Sequence, residues 1–166
     1  MGKPVSIILT KKNFWTKEFA INEETLDPRP DTEVIIDCFL KYYEEKSKKI
    51  KILDLGSGSG CLGLSLLGEY KNSEVSFFDV SKKSLEVVKL NALKYNLYNR
   101  SSLIHMDWNL HNWDTKLLDI EKSLRFDAIV TNPPYIPSDE IKLLQKEVKN
   151  YDPILALDGG KDGLNS

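Results

Sequence analysis

The sequence predicts an α/β fold in which a parallel sheet carries helices on both faces. Three observations point there. Four continuous apolar runs of strand length, "IKILDL", "VSFFDV", "SLIHM" and "FDAIV", recur through the middle of the chain. Helical stretches separate them, and a glycine-rich turn, "GSGSG", leads from the first run straight into an apolar helix. Strands that are apolar on both sides of the pleat are buried on both faces, and strands alternating with helices form parallel βαβ units.

Ahead of this alternation, the first thirty residues read as a lead-in rather than as core. "SIIL" and "FWTKEFAIN" predict a short hairpin turning at "TKKN", and "LDPRPDTE" is punctuated by proline. Asp31 is expected to cap a helix, because Val34, Ile35, Cys38, Phe39 and Tyr42 follow at helical spacing. Ser81 is placed to cap "SKKSLEVVKLNALKYN" in the same way. Four strands leave one long sheet edge unpaired before the turn-rich "LDGGKDGLNS". The chain is therefore expected to be a fragment, or to have its edge completed by self-association.

With 166 residues the chain has the length of one compact domain. Hydrophobic residues at 41% and charged residues at 29% are those of a water-soluble globular protein, with no apolar run of membrane-spanning length. A net charge of -2 supplies no broad basic field for a nucleic-acid backbone. Two distant cysteines, Cys38 and Cys61, fit a reduced, cytoplasmic setting without disulfides.

Ligands of such sheets gather at the carboxyl ends of the strands, near the point where strand order reverses. Gly56, Gly58 and Gly60 lie at the end of the first strand, where they allow a sharp turn and close approach of a ligand to the main chain. Gly58, Gly60 and Gly63 also spell the dinucleotide pattern, with Asp79 about 20 residues further on. Asp54 immediately before the loop and the rigid "NPPY" later in the chain favour S-adenosylmethionine over a dinucleotide. Asp79 ends the second strand, where its carboxylate can accept both hydroxyls of a ribose. Asp107 and Trp108 end the third, placing an acceptor and a packing surface for an adenine. His105 and His111 stand beside no thiol pair and are read as structural, so no metal site is expected.

"VTNPPYIP" follows the fourth strand. A residue before proline is confined to extended backbone and proline fixes its own φ, so Asn132 has little freedom. Pro133 and Pro134 contribute no N–H. The stretch thus offers acceptors, the Asn132 side-chain carbonyl and the Pro133 main-chain carbonyl, to the two hydrogens of a planar NH2 group. Two such acceptors can turn a delocalised nitrogen towards tetrahedral geometry and aim its lone pair at a sulfonium methyl. Tyr135 is expected to lie flat on the planar group. Taken alone, "NPP" is also a good strand stop and "PYIP" matches a polyproline pattern.

The quoted residues resemble the class I S-adenosylmethionine-dependent methyltransferases, and more closely the release-factor glutamine methyltransferases (HemK/PrmC family). The likeness runs from "KPVSIILTKKNFW" through "PRPDTE", "ILDLGSGSG", "FFDVS", "MDW" and "NPPYIP" to "LALDGGKDGL". It implies a Rossmann-like sheet, with residues 1–30 as lead-in and residues 31–166 as a partial S-adenosylmethionine-binding domain. It further implies cofactor contacts from Gly56, Ser57, Gly58, Ser59, Gly60, Asp79, Trp108 and Asn132, and binding of the substrate amide by Asn132, Pro133, Pro134 and Tyr135. The acceptor implied is the glutamine N5 amide in the Gly-Gly-Gln motif of peptide chain release factors. Alternatives are an amino-group methyltransferase of RNA or DNA, such as at adenine N6, and an inactive remnant or binding module. Nucleic acid and membrane are not the expected partners.

Overall fold

The computed structural model describes residues 3–121 and 125–165. Among them a short helix, α1 (Val5–Leu9), precedes an antiparallel hairpin of β1 (Lys11–Phe14) and β2 (Lys17–Ala20), and α2 (Glu33–Tyr42) follows. The predicted alternation comes next: β3 (Lys51–Leu55), α3 (Cys61–Glu69), β4 (Glu74–Asp79), α4 (Lys82–Lys94), β5 (Ser101–His105), α5 (Trp113–Glu121) and β6 (Ala128–Thr131). A last helix, α6 (Lys146–Tyr151), lies beyond. Strands β3 to β6 form a parallel sheet in the order β5-β4-β3-β6, which is the α/β class the sequence predicts. No helix is long and apolar enough to cross a membrane among the described residues.

Alternation along the strands divides the core. Ile52, Val75, Phe77 and Val130 share one apolar cluster with Ile36 and Phe39 of α2, Leu64 and Leu67 of α3, and Val88 and Ala92 of α4. Leu53, Phe78 and Ile104 form a second with Leu117 of α5. Ile129 pairs in register with Leu53 yet is 62% exposed, so the cover of this second face stops short of β6 among the described residues.

The lead-in differs from expectation. "SIIL" is helical, and the hairpin turns at Trp15 and Thr16 rather than at "TKKN". In one continuous strand, Phe14 and Phe19 would point to opposite faces because their separation is odd. A turn between them puts both rings on one face, edge to face at 6.3 Å, and both are buried in the main core. Nor does Asp31 cap α2. It lies in a 3-10 turn, Pro30–Thr32, whose carbonyls receive the Glu33 N–H, so the cap position falls on Thr32. Ser81 does cap α4, accepting the Ser84 N–H at 3.2 Å.

One buried amide fastens the hairpin to the sheet end. Asn91 of α4 accepts the Ala20 N–H at 2.7 Å and donates to Ala20 O at 3.0 Å and to Ser59 O at 2.9 Å. We predict that Asn91→Leu, similar in volume, strands the buried Ser59 carbonyl and both half-buried main-chain groups of Ala20 and costs about 2–4 kcal/mol. Urea unfolding checks this, and a midpoint equal to that of the unaltered chain would contradict it.

Candidate active site

Chain order reverses at β3, which has β4 on one side and β6 on the other. The carboxyl ends of these strands open into a cleft of about 200 Å³. Its floor is the loop between β3 and α3. Gly56, Gly58 and Gly60 all have positive φ, at 74°, 53° and 75°. Gly56 matters most, because a Cβ there would stand 3.0 Å from the Trp108 ring. The loop's own N–H groups are largely taken. Gly56 and Ser57 both donate to Phe78 O, at 2.9 and 3.0 Å, and Gly60 donates to Ser57 O at 2.8 Å. Gly58 donates to Asp79 Oδ2 at 2.8 Å. The Ser57 hydroxyl is buried without a hydrogen-bond partner and belongs to the cleft wall.

Two carboxylates sit beneath this loop. Asp79 Oδ1 accepts the Ser81 N–H at 2.9 Å while Oδ2 holds Gly58, so the residue links two strand ends and still faces the cleft. Burial raises its pKa, against the lowering effect of the two N–H donors and His105. Asp54 is more deeply buried and accepts the Gly63 N–H at 2.9 Å. Desolvation pushes its carboxyl up to about 7; the Gly63 N–H opposes this and the charge of Asp79 adds to it. Gly63 has a packing role: a Cβ would lie 2.6 Å from the Phe77 ring and 2.8 Å from the Asp54 carboxylate.

At the third strand end, Trp108 stacks on Phe78 with centroids 6.2 Å apart and planes 13° off parallel. Asp107 faces the same cleft, with Oδ1 held by the Asn109 main-chain and side-chain N–H groups at 2.8 and 3.0 Å. The exposed His105 bonds Val80 O at 2.9 Å through Nε2, and His111 is exposed. Among the described residues no group of His, Cys, Asp and Glu is arranged to hold a metal.

The fourth strand end carries the amide. Thr131 Oγ1 donates to Leu55 O at 2.7 Å, tying β6 to β3 just before Asn132. Asn132 and Pro134 border the cleft, whereas Pro133 borders a neighbouring cavity that shares Trp108 and Asn109 with it. Tyr135 departs from expectation: it is 66% exposed and borders neither cavity. The cause lies one residue on. Ile136 donates to Leu157 O and accepts from Gly159, a short parallel bridge that commits the backbone and leaves the Tyr135 ring outside.

That bridge also brings in residues the sequence reading did not single out for the site. Pro153, Leu155 and Asp158 form a lip on the cleft, and Arg29 and Thr32 line it from the other side. Arg29 ion-pairs with Asp152, next to Pro153, and Thr32 receives the Asn132 amide. The available signal was the density of polar residues beside and after the prolines of "PRPDTE", where a plain connection needs none.

A parallel sheet with a glycine loop after its central strand, an acid ending the next and "NPPY" ending the last described one defines a methyltransferase. Residues 29–159 match the Methyltransferase small domain family, and the chain belongs to that family of S-adenosylmethionine-dependent methyltransferases. It is 42% identical to a release factor glutamine methyltransferase of Caulobacter vibrioides and 41% identical to one of Agrobacterium fabrum, over 98% of this chain in each case. It is also 36% identical to a bifunctional methyltransferase of Rickettsia bellii over 99% of its length. The chain spans 53% and 54% of the first two relatives and 32% of the third. Among solved structures, the hMettl16 catalytic domain in complex with a MAT2A 3'UTR hairpin shares the fold, with a TM-score of 0.65 and 15% identity over 89% of this chain and 52% of that one.

A carboxyl raised to about 7 in the folded state holds a proton that the unfolded chain has released. Its stabilising effect is complete below about pH 4 and is lost as pH rises towards 7. Asp54→Asn keeps an acceptor for Gly63 but does not titrate. We predict that the variant gains on the unaltered chain between pH 4 and pH 7.5, by on the order of 3 kcal/mol. Parallel pH profiles of the two in denaturant titrations would refute this.

Proposed function

We propose that this chain binds S-adenosylmethionine in the cleft and that its site transfers the methyl group to the N5 amide of glutamine in the Gly-Gly-Gln motif of peptide chain release factors. One observation carries the choice of cofactor: four of the loop's N–H groups are committed to Phe78, Asp79 and Ser57, and two carboxylates lie beneath. A pyrophosphate needs free N–H groups and repels carboxylates. A donor with a sulfonium and an ammonium charge has the opposite needs. The residues present fit such a donor: Gly56 leaves room against Trp108, Ser57 in the cleft wall has a buried hydroxyl without a partner, and Asp79 retains acceptor capacity for a ribose. Asp107 and Trp108 are at hand for the adenine.

The bound cofactor supplies an electrophilic methyl group. Held by the loop of residues 56–60, Asp79 and Trp108, it would offer that carbon to the glutamine nitrogen, with the carbon–sulfur bonding pair leaving on the thioether and one amide proton passing to water. Asn132 Oδ1 and Pro133 O receive the two amide hydrogens and localise the lone pair. Tyr135 reaches that amide only through a rotation of its exposed ring, so its contribution belongs to the docked complex. The substrate assignment rests on the similarity to release factor glutamine methyltransferases over almost the whole of this chain. An adenine amino group fits the same two acceptors, which makes RNA the proper control.

The expected outcome with labelled cofactor is label on a release factor and none on RNA; label on RNA alone overturns the substrate. Asn132→Ala should lower turnover about 10²- to 10³-fold. Its affinity for S-adenosylhomocysteine by calorimetry should change less than about threefold, since no cofactor-facing charge is lost. Undiminished turnover in this variant removes the acceptor role.

A further inference from the structure

We infer that Asp158 is a positioning residue: through the turn it closes, it fixes the far end of the stretch that carries the Asn132 and Pro133 acceptors. The inference rests on the amide-methylating reading above. Pro133 and Pro134 fix their own φ and confine the residue before each to extended backbone, so residues 132–135 form a short stiff rod whose place is set at its two ends. The near end leaves β6, which Thr131 ties to Leu55 O. The far end is held by the lip. Ile136 N–H goes to Leu157 O at 3.0 Å, Gly159 N–H to Ile136 O at 2.9 Å and Ser138 N–H to Gly160 O at 2.9 Å. Asp158 stands at the centre of these bonds. Its Oδ1 accepts the Ser138 hydroxyl at 2.7 Å and the Gly160 N–H at 2.9 Å, so one carboxylate both closes the turn and joins it to the stretch.

A second observation is independent of these bonds. Two glycines of the same turn touch the rod's own main chain: a Cβ at Gly159 would stand 2.8 Å from Pro134 O, and one at Gly163 would stand 2.5 Å from Tyr135 O. Backbone lying this close to backbone leaves the Pro134 and Tyr135 carbonyls no room to move towards the turn. The acid and glycines of "LDGGKDGL" thereby acquire a use in the site, since they locate the carbonyls one and two residues past Pro133. The Ser138 hydroxyl and the Gly160 N–H also hold the Asp158 carboxyl below the usual carboxylate range, so the tie is charged at neutral pH. A displacement of about 1 Å in a positioned group costs on the order of 10²-fold in rate, so slack at the far end reaches the chemistry through the rod.

The test is kinetic, on the full chain with a release factor as substrate and labelled cofactor. Asp158→Ala removes both bonds and should lower kcat about 5- to 20-fold, with the KM for S-adenosylmethionine unchanged. Asp158→Asn keeps an oxygen acceptor in the same place and should retain most of the turnover. Gly163→Ala brings a methyl group against Tyr135 O while leaving the Asp158 carboxylate in place, and it should lower kcat at least as far. An unchanged kcat in Asp158→Ala or in Gly163→Ala overturns the inference. So does an Asp158→Asn variant as slow as Asp158→Ala, which assigns the role to the charge, or a rise in cofactor KM that accounts for the loss. A readout without turnover is main-chain hydrogen exchange: Ile136 and Ser138 should exchange about fivefold faster or more in Asp158→Ala, and at the unaltered rate in Asp158→Asn. Equal protection in Asp158→Ala and the unaltered chain also overturns the inference. If the unaltered chain transfers no methyl group to the release factor, the substrate reading fails, and the exchange rates still decide the tie.

Discussion

The cleft depends on where the N–H groups of residues 56–60 go. Two converge on the single carbonyl of Phe78 and one goes to the carboxylate of Asp79, so the loop after β3 is strapped to the end of β4 before any ligand arrives. Glycine is what makes the strap feasible, since three left-handed residues within five positions would strain any other side chain. The same geometry admits Trp108 over Gly56. A loop held this way offers a ligand a fixed shape and little conformational cost on binding. Its exposed face is acceptor-rich, and that polarity, more than the glycine spacing, decides which class of cofactor suits it.

The opposite wall is held by a short motif from which three side chains reach distant segments. Arg29 goes to Asp152, Thr32 to Asn132, and the Glu33 carboxylate receives the Trp15 N–H at 2.7 Å. Three residues within five positions thus fasten the lip, the acceptor amide and the hairpin turn. Closing a long loop costs only a little more entropy than closing a short one, because the cost grows with the logarithm of length. Ties from residue 29 to 152 and from 32 to 132 are therefore economical ways to assemble a site from distant segments. They also explain why so polar a stretch is set around Pro28 and Pro30: the prolines fix the backbone, and the polar groups do the reaching.

Much of this was legible. The parallel sheet, the glycine loop and the Ser81 cap follow from apolar runs, spacing and local capping chemistry, all of which are short-range signals. The hairpin register was missed because it turns on parity: the odd separation of Phe14 and Phe19 contained the answer, but only once both are known to be buried on one face. Asn91 was unreadable for a related reason. Its neighbours Leu90 and Leu93 look like the buried positions of α4, yet they are 57% and 52% exposed while Asn91 is wholly buried. The hairpin's need for partners to Ala20 outweighs the apolar pattern there. The lip rests on a single bridge, Ile136 with Asp158, too short to leave any periodicity, and that bridge is also what turns Tyr135 outwards.

The pair of buried acids gives the proposed cofactor a thermodynamic role beyond occupancy. Burial raises the pKa of both Asp54 and Asp79, that of Asp54 to about 7, so near neutral pH Asp54 is still partly protonated while the stability this proton confers at low pH is being lost. A cation entering above them favours the ionised forms, and the proton must leave as the ligand arrives. Binding is then coupled to proton release and strengthens as pH rises through the region where Asp54 titrates. The energy that the fold forgoes by keeping two carboxylates close together out of water is partly returned by the ligand's charge. An analogue with the same shape but without the sulfonium recovers less of it.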